Sequence, residues 1–365
     1  MGYSRIKLPA PAAYHITSRI KNDDFFIEDD EDKRSLLDII KRAATFAGVT
    51  VISHAILDNH FHLLVHIPTR QEVDDAELER RVRILWGDEK AEERFGRWRY
   101  WESRDNAQRV EKERNDFRRR MYDVSRFVKT IKEMFAYAYH KRHGTCGSVW
   151  GAARFKSAAV SSDFKTLATV SAYIDLNAVR ARIARHPKNY KWCGVGAANK
   201  GDRFALDGVE FLAREAERMT KDESALDSYM RFLDDTKKKK KSVDRLSSNT
   251  DSSRGAGGDC AVSSRGGYVR KTLDSADLTR LGAEGVEQWL AASEIQPESM
   301  SEMWTRRFGN FAMGGIIGPL AAVLTAREGI ARGAYIHTRW QPGVVEGVYS
   351  FIRERNARAR KRNAS

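Results

Sequence analysis

Cysteine is scarce and scattered in this chain. Cys146, Cys193 and Cys260 are far apart, odd in number and without Cys-x-x-Cys spacing, which argues against a thiolate zinc finger and a disulfide framework and agrees with a reducing compartment. Long apolar runs are missing as well. The longest, Ala312 to Ala326, falls short of the roughly 18 residues a membrane span needs and is interrupted by Gly314, Gly315, Gly318 and Pro319, so a buried, turn-containing segment is expected there. The N-terminus, Met1 to Pro11, is basic but has no apolar core of the kind a secretion signal carries. The expectation is a cytoplasmic protein, associated with the nucleoid if it binds DNA, with no membrane partner.

Acidic charge is in deficit: 50 Asp and Glu face 64 Lys and Arg, a formal charge of +14. That excess points to a polyanionic partner, most simply nucleic acid, without choosing between DNA, RNA and an acidic membrane surface. With 365 residues, 41% of them apolar, the chain can bury a sizeable core and hold two domains.

The stretch that organises the chain is Asp58-Asn59-His60-Phe61-His62-Leu63-Leu64-Val65-His66. Strand alternation sends His60, His62, Leu64 and His66 to one face and Phe61, Leu63 and Val65 to the other. Two imidazoles then converge, which is half of a divalent-metal site, while the opposite face can pack on a core. The plain alternative is two polar positions on a wet sheet face.

Upstream, Ala12 to Ile20 reads as a strand with His15, Thr17 and Arg19 on its polar side, suited to pair with the His60 strand. Between them Asp32 to Gly48 repeats Leu36, Leu37, Ile39, Ile40, Ala43 and Ala44 at helical spacing and stops at glycine. Downstream, residues 71–120 are highly charged with interspersed aromatics and read as solvent-laced helices, a surface insertion held by exposed ion pairs, with a basic, aromatic-bearing arm that tracks a single strand as the alternative. Tyr122 to Arg142 carries a clear apolar stripe, Ser148 to Val160 is β-like, and Ser162 opens a further helix running to Ala184.

The order of Tyr14-His15-Ile16-Thr17-Ser18-Arg19, Asn59-His60-Phe61-His62-Leu63-Leu64-Val65, Tyr139-His140-Lys141-Arg142-His143-Gly144, Gly147-Ser148-Val149-Trp150, Arg154-Phe155-Lys156-Ser157 and Tyr173-Ile174-Asp175-Leu176-Asn177-Ala178-Val179-Arg180-Ala181 resembles the REP-associated branch of the HUH-type, single-tyrosine transposases, over about Ala12 to Trp192. The chain departs from that family by an extra residue between Trp150 and Arg154 and by Phe135 at a common tyrosine position. The resemblance implies an α/β (α+β) fold, a ferredoxin-like antiparallel-sheet sandwich. It also implies a DNA transposase that cleaves and rejoins single-stranded DNA through a covalent phosphotyrosine, at hairpin-forming repeats, with a divalent metal ion, Mg2+ or Mn2+. The alternative is a nucleic-acid-binding protein of the same fold that has lost catalysis. A third reading, unrelated metal-dependent hydrolysis at His60 and His62, leaves the tyrosine helix and the basic surface without a purpose.

The expected metal ligands are His60, His62 and His143, with His140 competing for the third place and His66 two pleats too far along. The expected nucleophile is Tyr139, with Tyr137 as the alternative: at about 100° per residue Tyr139 lies about 40° from Phe135, and Tyr137 about 160°. Arg19, Arg154, Lys156, Asn177, Arg180 and Arg182 are the expected DNA contacts. The domain plan is 1–192 for the transposase-like part with its insertion at 71–120, then a helical extension at 193–232, a linker at 233–267 and a smaller, mainly helical C-terminal region at 268–365 with a basic tail. Composition does not decide between monomer and homodimer.

Overall fold

In the computed structural model the described residues are 8–21, 24–151, 155–215, 224–235, 280–281, 284–289, 316–319, 323, 340–345 and 348–353. The frame is a βαββαβ unit. Strand β1 (Ala12–Arg19) leads to helix α1 (Asp30–Ala47), and β2 (Thr50–Leu57) and β3 (His60–Ile67) form a hairpin turning at Asp58 and Asn59. Three helices, α2 (Asp75–Trp86), α3 (Asp88–Glu102) and α4 (Ala107–Arg118), precede the long α5 (Val124–His143), and β4 (Lys156–Val160) closes the unit. β1 pairs antiparallel with both β3 and β4, and β2 antiparallel with β3, giving the order β2-β3-β1-β4. This is the ferredoxin-like arrangement expected from the sequence. The strand β2 was not anticipated, although its β-branched run Thr50-Val51-Ile52 is a strand signal.

Local chemistry sets the helix ends. Asp29 caps α1, accepting from the Asp32 amide at 2.7 Å, and Gly48 ends it at φ 65°, the left-handed position glycine suits. Asp123 caps α5 in the same way, through the Arg126 amide. Helices α1 and α5 pack together on the Phe61 face of the sheet, where Trp150 bridges Phe61 and Phe135 with ring centroids 5.7 and 5.5 Å away.

The charged segment does form helices, but they are more than a surface insertion held by ion pairs. Leu78, Val82, Leu85, Phe95 and Trp98 are fully buried or nearly so, and α2 packs on α1. Its ion pairs, such as Arg83–Glu92 and Arg99–Glu92, lie outside this small core.

On the other face lies α6 (Phe164–Asp175), capped by Asp163 one residue later than expected and ending at Leu176, before the short α7 (Asn177–Arg180). Every residue from Thr166 to Asp175 is buried. Helices α8 (Gly194–Ala198) and α9 (Arg203–Glu215) close the outer edge of β2: Ile56 donates to the Trp192 carbonyl, and a Cβ on Gly208 would stand 2.4 Å from the Ile52 oxygen. A helical segment, 225–235, follows.

The C-terminal region contributes strands where a mainly helical part was expected. β5 (Ile316–Gly318) adds parallel to β4, and β7 (Val348–Arg353) and β6 (Trp340–Val345) extend the sheet to seven strands. Residues 284–289 are helical. The lysine run Lys237 to Lys241, most of the expected linker and the basic tail beyond Arg353 lie outside the described residues.

Candidate functional site

The antiparallel register of β1 and β3 sets Thr17 opposite His62 and Arg19 opposite His60, and β4 sets Lys156 opposite Thr17. Directly opposed residues share a face, so one face of three adjacent strands carries His60, His62, Thr17, Arg19 and Lys156, with His15 one pleat along β1. His62 is fully buried and His60 is 8% exposed, with ring centroids 5.0 Å apart. Lys156 is exposed and Arg19 half-buried at the open end of this row.

The contact with Asn59 selects the His60 tautomer. His60 Nδ1 lies 2.6 Å from the Asn59 side-chain oxygen, which can only accept, so Nδ1 carries the hydrogen and Nε2 the lone pair. His62 Nδ1 lies 3.0 Å from both Thr17 Oγ1 and His15 Nε2. The Thr17 hydroxyl and His15 Nε2 can each donate or accept, so both tautomers of His62 satisfy this pair, and in the one with Nδ1 donating, Nε2 carries the lone pair. Orientation of a ligand histidine through its other nitrogen is what metal centres use, so the donor set fits a divalent cation held by His60 and His62 through Nε2.

Helix α6 covers this face and brings Tyr173. Its ring meets His62 edge-on at 6.1 Å and His15 at 5.8 Å. Arg180 stands over the Tyr173 ring at 4.5 Å and donates to the Tyr173 carbonyl at 2.5 Å. Asn177, buried, donates to the carbonyls of Tyr173 and Ile174. The sequence pointed to the tyrosines of α5 and not to this one. The available signal was the lack of a polar stripe on α6, which marks a helix covered on all sides.

Tyr139 and His143 are elsewhere. They stack on each other at 4.2 Å, with Tyr139 also against Phe26 at 5.5 Å, on the α1/α5 side of the sheet. His143 Nε2 pairs with Asp32 at 3.0 Å. The placement of Tyr139 and His143 opposite His60 and His62 is therefore not the one the structure has, because α5 packs on the Phe61 face. Burial, then the nearby Asp32 and Asp29, push the Tyr139 phenol up, the wrong direction for a nucleophile. Tyr137 is 61% exposed on α5, and His140 binds Thr145 and the Gly147 carbonyl.

Asp29, Asp32 and His143 do bring three potential metal donors within 4.8 Å of one another. Arg142 already bridges both carboxylates, at 2.7 and 2.6 Å, and its hydrogen bonds hold Asp29 down at about 2. This cluster clamps the end of α5 to the start of α1. His66 packs on Phe211 of α9 at 5.0 Å. Arg182 is exposed at φ 61°, and Arg154 lies outside the described residues.

No family model and no curated protein matches the chain. Among solved structures it is similar to a REP-associated tyrosine transposase bound to a REP hairpin, at TM-score 0.34 and 13% identity, over 53% of this chain and 82% of that chain. Among the described residues no helix is long and apolar enough to cross a membrane.

Proposed function

We propose that the chain is a DNA-processing protein of the HUH transposase type, which cleaves and rejoins single-stranded DNA at hairpin-forming repeats, with Tyr173 as the attacking group. The observation that carries this is the convergence of His60, His62 and Tyr173 on one sheet face, with Arg19 and Lys156 at its open end. His60 and His62 would hold a divalent cation, which would supply Lewis-acid polarisation of a phosphate oxygen. Arg19 and Lys156 attract the phosphodiester, Arg180 adds positive charge beside the tyrosine, and Thr17 with His15 fixes His62. Tyr173 gives up its phenol proton to solvent as its oxygen bonds to phosphorus, and the departing 3′ oxygen takes a proton from solvent, so the phosphotyrosine conserves the bond for rejoining.

The second reading, a binding protein without turnover, is favoured by one feature: Tyr173 and His62 are both fully buried, and attack requires a phosphate to reach them. Incubation with labelled single-stranded hairpin DNA and Mn2+, followed by denaturing electrophoresis, separates the readings. The expected result is a covalent protein–DNA adduct that Tyr173→Phe lacks and Tyr139→Phe keeps. Adduct in Tyr173→Phe removes that residue as nucleophile. Binding with no adduct in the parent selects the second reading.

A further inference from the structure

The insertion between β3 and β4 is not used by the site described above, yet it builds one wall of a groove on the opposite side of the molecule. The groove encloses about 770 Å³ between α1, α3 and α5, with Trp86 of α2 at its end. Each helix turns one stripe toward it. On α3, Lys90, Arg94 and Arg97 follow at intervals of three and four residues, the spacing of a single helix face. On α5, Tyr137 and Lys141 are four apart, and α1 contributes Arg42.

The charge is one-sided: six lining side chains are cationic and two, Glu31 and Glu93, are acidic. Arg94 and Arg142 are committed to Glu113 and to Asp29 with Asp32. Arg97 reaches Glu93 only at 3.9 Å, between two exposed side chains, a pairing of little energetic weight. Lys90 and Lys141 are exposed. Arg42, half-buried, and Arg94 each have an Nε without a hydrogen-bond partner among the described residues. A buried donor left in that state is costly, and in each case the guanidinium that carries it lines the groove. Beside these cations Tyr137 presents a ring that is 61% exposed, with the Lys90 ammonium 5.0 Å from its centroid.

Exposed aromatic rings interleaved with cations are what a single nucleic-acid strand uses, phosphates taking the charge and a base stacking on the ring. We infer that this groove, built by the 71–120 insertion with α1 and α5, is a second nucleic-acid site that holds the backbone of a single strand away from the His60/His62 face. It shares with the functional reading the assumption of a nucleic-acid partner, and nothing of its chemistry.

The test is binding of a fluorescein-labelled single-stranded oligonucleotide to the full chain by anisotropy, in EDTA, across a salt series. Lys90→Gln/Lys141→Gln, two exposed positions, should weaken binding and reduce the log–log salt slope by about 1.4, from roughly 0.7 per phosphate contact on a single strand. Adding Arg42→Gln should bring the loss to about 2. Ultraviolet cross-linking of the parent should place a nucleotide on Tyr137. An unchanged salt slope in the folded double variant overturns the proposal. So does loss of poly-glutamate binding in that variant with oligonucleotide binding intact, which assigns the groove to an acidic protein. A missing covalent adduct with the slope change present sinks the Tyr173 reading alone.

Discussion

At the scale of single residues, the arrangement around His62 ranks the side chains by what their loss should do. Thr17 touches the imidazole at Nδ1, so Thr17→Val keeps the shape and removes only the hydroxyl that helps to fix the ring. Loss of such an orienting group typically costs 10–100-fold in metal affinity, and a weakening of about 10-fold in Mn2+ binding, read by calorimetry, is expected here. His60→Ala should abolish adduct formation while DNA binding, measured separately, stays within about twofold, because phosphate contacts carry affinity. Unchanged cleavage in both His60→Ala and His62→Ala would remove the metal role. The face shared by His60, His62, Thr17 and Arg19 was legible in the sequence, because strand alternation is a strict period of two. The tyrosine was not. Helical spacing shows that Tyr139 follows Phe135, and both do share a side, with ring centroids 6.0 Å apart. It does not show on which face of the sheet that helix comes to rest, and α5 rests on the Phe61 face while α6 takes the histidine face.

At the scale of elements, α9 is held by a close backbone approach. It lies against the edge of β2 through Gly208, where a methyl group would come within 2.4 Å of one backbone oxygen and 2.8 Å of another. Gly208→Ala must push the helix off the strand, since the obstacle is backbone and cannot rotate away. A destabilisation of roughly 1–3 kcal/mol, the usual cost of overpacking, is expected in urea unfolding. A loss under about half a kcal/mol would mean that the edge of β2 is not closed this tightly. In the insertion, Trp98 is buried at 1% exposure between Phe95 and Phe117, and Trp98→Ala should cost roughly 3–5 kcal/mol. The sequence showed these segments as charged helices, because charge dominates their composition. Their core was hard to see because Phe95 and Trp98 stand among many arginines and glutamates, where aromatics also suit an exposed binding arm. The C-terminal strands were obscured differently: Ile316 to Gly318 is three residues long, too short to show a period.

At the scale of the whole molecule, two buried ionisable groups pull stability in opposite directions across mildly acid pH. Asp175, at the end of α6, lies against Gly194, where a Cβ would stand 3.3 Å from its Oδ1, and His54, on β2, has its ring against Phe204. Burial pushes the Asp175 carboxyl up from 3.8 to about 7, against the hydrogen bonds it accepts from Tyr229 and the Val195 amide. The folded chain therefore keeps a proton that the unfolded chain releases, and stability from this group is lost as pH rises from about 4 to 7. Burial pushes His54 down from 6.5 to about 4, with Asp202 raising it and Lys41 lowering it by smaller amounts. Here the unfolded chain takes up the proton first, so stability is lost as pH falls from 6.5 to about 4. Each group contributes a slope of up to about 1.4 kcal/mol per pH unit, and in the intact chain the two largely offset each other over this window. Single variants should uncover them. Relative to the parent, Asp175→Asn should become progressively more favourable from pH 4 to 7 and then level off, while His54→Gln should become more favourable as pH falls from 6.5 to 4. Thermal unfolding midpoints of the three proteins across that range would check both signs, and parallel curves for parent and Asp175→Asn would mean that the carboxyl is ionised in the folded chain throughout.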